Sequence, residues 1–418
     1  MSAEPTSPAP ADGAIAGRLP RVFRHRNYRL FFGGQLVSLL GTWMQTVALG
    51  WLVYRLSHSP FLLGVVSFVS QAPIFFISPF AGAIADRMDR RWVFVVTQAL
   101  CMAQAAVFTV LTLANIIDVT TVIVLALMVG LVTAVEVPTR QAFTIEMVGR
   151  EDLRQAIAFN AMMFNFARTV GPAIGGVIVA AIGEGLCFLL NTVSYGAVLT
   201  SLVMMRLAPR EAKPDTHPWH DLKQGFRYVL HHPHIRMVLF LSAACSCFGT
   251  SYLALMPAFA QDILHQGSDG FGYVMSAFGV GAVTGAALVS RLPDRYLPLM
   301  PTVAAVILGV SLILFANAQA LWLAILLVAP TGFGYLLLAV SSNTQVQFLA
   351  EDAMRGRGMA FYAMGALGTP PLGALLLGAA ANHIGVPNAF MLGGAICLIA
   401  AGVSLSSLRR RGLVKRGG

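Results

Sequence analysis

Charge is what this chain has least of. Among its 418 residues, 11% are Asp, Glu, Lys or Arg, whereas an ordinary soluble domain carries roughly 25%. So few charges exclude a fully water-facing surface at this length. Cysteine is also scarce. Cys101, Cys187, Cys245, Cys247 and Cys397 all fall in apolar runs with no metal-ligand spacing. They predict free thiols, not a disulfide framework. The chain has no G-x-x-x-x-G-K-[ST] phosphate loop and no nucleophile–base pattern. It is therefore expected to hydrolyse no ATP, to be no enzyme and to need no cofactor. Histidines crowd positions 217, 220, 231, 232 and 234 without an H-E-x-x-H or Cys/His framework, so no metal is expected. Residues 1–17, rich in Pro, Ala and Ser, lack the basic start of a cleavable leader and predict a disordered tail over 1–20.

What the chain has instead is apolar length. It is 57% hydrophobic, with a mean hydropathy of +0.73. Twelve stretches are long enough to cross a bilayer: 30–54, 61–85, 92–114, 119–138, 157–182, 186–205, 237–261, 271–290, 299–317, 321–342, 359–381 and 388–408. Each approaches the ~20 residues that span ~30 Å of hydrocarbon at 1.5 Å per residue. Barrel strands would alternate polar and apolar residues over ~10 positions, and these runs do not. Bare backbone polar groups cannot sit in lipid, so the runs predict helices. The expected class is an all-α polytopic membrane protein.

The formal net charge of +10 raises nucleic acid as a partner, but its distribution argues against that. With twelve spans, one side holds both termini and the loops at 86–91, 139–156, 206–236, 291–298 and 343–358. That side takes 26 of the 28 Lys and Arg residues, all but Arg55 and the span-embedded Arg168. This positive-inside bias predicts cytoplasmic termini. No nucleic-acid-binding pattern accompanies the charge.

The longest internal loop, with the breaker run APREAKPDTHPWH, divides the chain six spans plus six. Trp219, Leu222, Phe226 and Leu230 share one face and predict an amphipathic interfacial helix there. The expected organisation is a helical unit over 21–206, a linker over 207–232, a second unit over 233–408 and a basic tail over 409–418. The two units repeat each other. His25 and Arg29 match His232 and Arg236 at an offset of 207; Gly64, Asp86 and Arg87 match Gly272, Asp294 and Arg295 at 208; Thr139, Phe143, Glu146 and Arg150 match Thr344, Phe348, Glu351 and Arg355 at 205. Ordered matches at a near-constant offset predict a duplicated six-helix unit.

The stretch GAIADRMDRR, residues 82–91, puts five charges between two apolar runs, and SRLPDRYLP at 290–298 repeats it in degraded form. It resembles the G-x-x-x-D-R-x-G-R-[RK] signature of the major facilitator superfamily. Gly82, Asp86, Arg87, Arg90 and Arg91 match, and Asp89 replaces the second glycine. The resemblance implies a cytoplasmic latch between halves, made by these residues with Asp294 and Arg295. A carboxylate at a helix N-terminus and arginines near an acid such as Glu146 are suited to that role. The plainer alternative is a topogenic basic turn.

RTVGPAIGG at 168–176 resembles the fifth-helix signature of exporting members. Gly171, Gly175 and Gly176 suit close helix contact, and Pro172 can bend the helix. Pro370 and Gly373 repeat the spacing of Pro172 and Gly175. FRHRNYRLFFGGQLVSLLGTWMQTVALGWLVYRL and VEVPTRQAF are similar to the bacterial branch of enterobactin exporters and macrolide-efflux proteins. The resemblance runs over most of residues 21–408.

Ionisable residues inside spans are costly, which makes them functional suspects. Glu136 and Arg168 are the two clearly inside. Either Glu136 binds and releases a proton with Arg168 tuning it, or the two form a structural pair; Glu136 can equally pair with Arg140, four residues on. Gln35, Ser38, Thr42 and Gln45 form a polar stripe on span one, and Ser242, Ser246 and Gly249 a small-residue face on span seven. The family resemblance implies that such faces line a central cavity, joined by Gln71, Asn165 and Tyr362. The alternative for the hydroxyls is bonding to their own helix. The expected activity is export of a small amphiphilic molecule, a drug or siderophore, by a monomer using proton antiport. The rivals are an ion-independent facilitator or importer, for example of lysolipids, and a non-transporting receptor.

Overall fold

The computed structural model describes residues 20–85, 88–206, 227–229, 231–289, 293–351 and 354–410. These residues form helices throughout, with no strand among them. The first half contains α1 (Arg26–Ser57), α2 (Pro60–Ala85), α3 (Arg90–Leu113), α4 (Val119–Val148), α5 (Leu153–Ile182) and α6 (Glu184–Met204). The second contains α7 (Pro233–Gly249), α8 (Ser268–Val289), α9 (Met300–Ala316), α10 (Leu321–Leu349), α11 (Arg355–Gly368), α12 (Pro370–Ile384) and α13 (Val386–Arg410). Ten helical segments are long and apolar enough to cross a membrane, and the shorter apolar helices Pro60–Ile74 and Met300–Ala316 fall where spans two and nine are expected. The tails and the amphipathic linker helix expected around Trp219 lie outside the described residues, apart from the short stretch at 227–229.

Local chemistry sets the breaks between helices. Asp118 caps α4, accepting from the backbone N–H groups of Thr120 and Thr121 at 3.2 and 3.3 Å. Gly183 and Gly385 adopt positive φ, 84° and 81°, at the tight turns from α5 to α6 and from α12 to α13; a side chain would strain that backbone. Span seven does not stay α-helical. After Gly249 it passes through a 3-10 segment, a turn at Pro257 and a π segment over Phe259–Ile263. Such irregular backbone at membrane depth survives only when packed in protein.

The halves meet mainly along two seams. On one, α2 packs against α12; on the other, α5 packs against α8. A methyl group built on Gly176 would collide with the Cα of Gly272, so only a pair of glycines permits that approach. The equivalent seam sets Gly64 against the backbone of Ala374. The duplicated pair Gly64 and Gly272 thus marks the same contact twice.

Among the described residues, the halves share an apolar core at one end of the molecule. A single apolar cluster joins Val47, Leu52, Tyr54 and Phe188 of the first half to Tyr252, Phe259, Phe271 and Phe390 of the second. All lie toward the interhelical turns opposite the chain termini. At the other end, one cluster belongs wholly to the first half and two wholly to the second, and a further one joins Tyr228 and Val229 of the linker to the second half. The closed end also carries a hydrogen bond from the Tyr54 hydroxyl to Asp262 and a stacked pair, Trp51 and Phe271, at 6.4 Å.

Candidate functional site

At the end near the termini, the described members of the charged turn make the following contacts within the first half. Arg90 donates to Glu146 at 3.0 Å and to the Ala142 carbonyl at 3.2 Å. Arg91 donates to the carbonyls of Leu202 and Val203 at 3.0 and 2.8 Å, where α6 runs out of internal donors. Asp89, which departs from the signature, caps α3 by accepting from the N–H groups of Arg91 and Trp92. Gly82 lies on α2, and Asp86 and Arg87 lie outside the described residues. Asp294 and Arg295 sit on a 3-10 turn, with Arg295 over the Tyr296 ring at 4.7 Å.

Two members of the polar stripe of α1, Thr42 and Gln45, make contacts to other helices of their own half. Gln45 donates to Gln104 of α3 at 3.3 Å and accepts from Asn191 of α6 at 2.6 Å. Thr42 donates to the Ser38 carbonyl and lies 3.4 Å from the Tyr195 hydroxyl. Gln35 and Ser38 are buried with them. The physical reason is that amides in apolar surroundings bond one another across helices, at about 0.6 to 2 kcal/mol per bond. The Ser242 and Ser246 face is likewise buried, with Gly249 against Cys397 and Leu308. Tyr362 is 7% exposed and donates to the Ala339 carbonyl at 2.7 Å. Asn165 bonds back to Ala161, and the exposed Gln71 to Ser67. A cavity of about 420 Å³ lined by Val238, Leu241, Pro301, Gln345 and Ser404 lies within the second half, not between the halves.

Glu136 and Arg168 do not meet. Glu136 is buried and pairs with Arg140 at 3.3 Å, while Gln98 points its amide at the same carboxylate oxygen from 3.5 Å. Pro138 lies between the paired residues inside α4. Arg168 lies on α5, 15 residues from its first residue and 14 from its last (168−153; 182−168). Its guanidinium stacks on Trp43 of α1 at 5.8 Å and on Tyr335 of α10 at 4.6 Å. Among the described residues it has no ion pair. Cation–π contacts return about 0.5 to 2 kcal/mol, against ~2.5–3.5 kcal/mol for an arginine at a bilayer centre by insertion scales. Gly171 packs on Trp43, and Gly175 on the Met44 backbone, so the glycine signature beside Arg168 brings α1 close. Pro172 is buried in the same helix.

Sequence reasoning missed Trp43, Tyr54, Asp262 and Tyr335. One signal was present: Tyr54 and Asp262 are 208 residues apart, the offset of the internal repeat. Both lie toward the ends of spans that the repeat makes equivalent.

A duplicated helical fold with glycine seams between its halves defines a membrane transporter of the major facilitator type, and comparison with known proteins agrees. The chain belongs to the family described as transmembrane secretion effector, which it matches over residues 20–412. It is 27% identical over 377 residues to the staphyloferrin A transporter of Staphylococcus aureus, covering 88% of this chain and 94% of that one. It is 26% identical to the multidrug efflux pump Tap of Mycolicibacterium fortuitum, covering 85% and 89%. It is 24% identical to the enterobactin exporter EntS of Shigella boydii, covering 85% of each. A crystallised POT peptide transporter in complex with sulfate superposes with a TM-score of 0.73 at 14% identity, over 94% of this chain and 96% of that one. A bacterial homologue of the human lysosomal transporter Spinster gives 0.68 at 14% identity, over 94% and 99%. The chain is a multi-pass transporter of small molecules and not an enzyme.

Proposed function

We propose that this chain exports small amphiphilic molecules of the siderophore or drug class by alternating access, driven by proton antiport. The observation that supports the reading is that, among the described residues, the apolar core shared by the halves lies at one end. One core bridges the halves near the interhelical turns, while separate cores serve them near the termini. A pathway sealed at one end and divided at the other is what a rocking two-body transporter requires. The basic bias of the loops supports cytoplasmic termini in a bacterial inner membrane. This state then opens inward, where an exporter collects its cargo. The units 21–206 and 233–408 are the rocking bodies, and one chain supplies both. The named activities of the staphyloferrin A, multidrug and enterobactin relatives support the substrate class. The turn around Asp86 and Arg87, with Asp294 and Arg295 opposite, latches the cytoplasmic side when it closes. Glu136 is the proton carrier, because neutralising its carboxylate frees Arg140. A potential of 100 mV moves each charge with ~2.3 kcal/mol, enough to concentrate a solute tens-fold.

The test is proton flux in energised everted vesicles challenged with lipophilic drugs and catechol siderophores, with Glu136→Gln alongside. Wild type should dissipate the pH gradient on addition of a substrate, and the variant should not. Substrate flux that ignores the gradient, or full proton-coupled flux in the variant, would contradict the antiport assignment. Ion-independent counterflow would favour the facilitator.

A further inference from the structure

Arg168 is a fixed cation at the middle of α5 whose stacking partners come from both halves, Trp43 from the first and Tyr335 from the second. We propose that Arg168 is the anchor for a carboxylate on the transported molecule. The proposal rests on the export reading above and narrows it to anionic amphiphiles.

Three observations carry it. First, the charge is not consumed. Among the described residues no Asp or Glu pairs with it, and Glu136, the acid of the neighbouring span, is engaged by Arg140. Aromatic faces stabilise a guanidinium but leave most of its five N–H donors unused, and that fork matches a carboxylate. Second, the position is where the halves come together. Arg168 is partly exposed, and the next residue, Thr169, meets Gly279 of α8 across the seam. A group held there touches both rocking bodies. Third, the surroundings suit an amphiphile. Phe164 lies edge-on to Trp43 at 5.8 Å, and Phe278 stacks on Tyr335 at 6.1 Å. Apolar rings flank a single positive charge. The same charge repels cationic amphiphiles, so it selects by exclusion as well as by attraction.

The test uses three matched fluorescent probes, dansyl-leucine, its methyl ester and dansylcadaverine, which are anionic, neutral and cationic. Binding is read on the full chain in nanodiscs. Wild type should bind the acid at least about ten-fold more tightly than the ester, with the amine weakest. R168Q should erase that order while still binding the ester, and R168K should keep it. Equal binding of all three by wild type, preference for the amine, or an unchanged order in R168Q would overturn the inference while leaving transport intact. Failure of wild type to bind any probe would count against amphiphile export itself, and the inference would fall with it. If R168Q does not accumulate, phenylglyoxal labelling of wild type decides. Dansyl-leucine should shield Arg168 from modification and dansylcadaverine should not; equal shielding would overturn the assignment.

Discussion

The two ends of this molecule are built on different principles. Near the interhelical turns, side chains from both halves fill one core, and Tyr54 reaches across to Asp262. Near the termini, the ties among the described residues include Arg90 to Glu146 and His25 to Asp152 within the first half, and His232 of the linker beside Glu351 of the second. One end is closed by apolar burial that both halves share. At the other, the polar contacts seen among the described residues stiffen each half, and the proposed rocking would part the halves there without unfolding either.

The sharpest way to break this contrast is to wedge the closed end. Gly176→Leu places a branched side chain against the Gly272 backbone, where nothing flexible can yield. Overpacking of this kind costs about 1–3 kcal/mol or more. We expect a loss of transport of at least about ten-fold with little folded protein in the membrane, measured by vesicle flux and fluorescence-detected size exclusion. Gly176→Ala should be milder. Normal flux in the leucine variant would mean that the seam is not tight.

A smaller effect is expected from Tyr54→Phe. It removes the hydroxyl that bonds Asp262 and keeps the ring in the shared core. A hydrogen bond to a charged group is worth about 1.5–3 kcal/mol. The population sealed at this end should therefore fall about ten-fold or more relative to the state open there. Phe188→Tyr, which alters the same core without touching the bond, should leave the ratio closer to wild type.

The smallest effect belongs to Asp118, at the exposed start of α4. Hydrogen bonds from Thr121, side chain first, hold its carboxyl below the usual carboxylate range. A depressed acid stabilises the fold above its unfolded value, and that stability is lost as pH falls through its folded value. Asp118→Ala should therefore lower thermal stability slightly at neutral pH, and the difference from wild type should vanish in acid. A difference that persists in acid would point to another role for the cap.

Much of this architecture was legible from residue order. Apolar runs gave the helices, because lipid leaves the backbone no other way to satisfy itself. The repeat placed Gly64 and Gly272 in equivalent positions before their seams were visible. Asp89 was a departure from a motif until its geometry identified it as a helix cap. Less legible was the direction of each polar face. Helical periodicity shows that Gln35, Ser38, Thr42 and Gln45 lie together, but not whether that face meets a cavity or α6. The partners of Gln45, Gln104 and Asn191, lie 59 and 146 residues from it, beyond the reach of local pattern. Tyr335 was illegible for the same reason: its partner Arg168 sits in the other half, and no local pattern joins them. Asp262 fell just beyond the expected end of span seven, because the π segment carries that helix further than hydropathy alone suggests.

The proposed alternating access requires the two ends to open in opposition. It is tested most directly by spin-label distances across each end of the full chain in nanodiscs, with one label pair bridging α2 and α12 near the interhelical turns and a second bridging the halves near the termini. Each pair should show a short and a long population. Conditions that lengthen the first should shorten the second, and Tyr54→Phe should push both in that direction. Two ends that lengthen together, or a first distance that never changes while transport proceeds, would contradict the account.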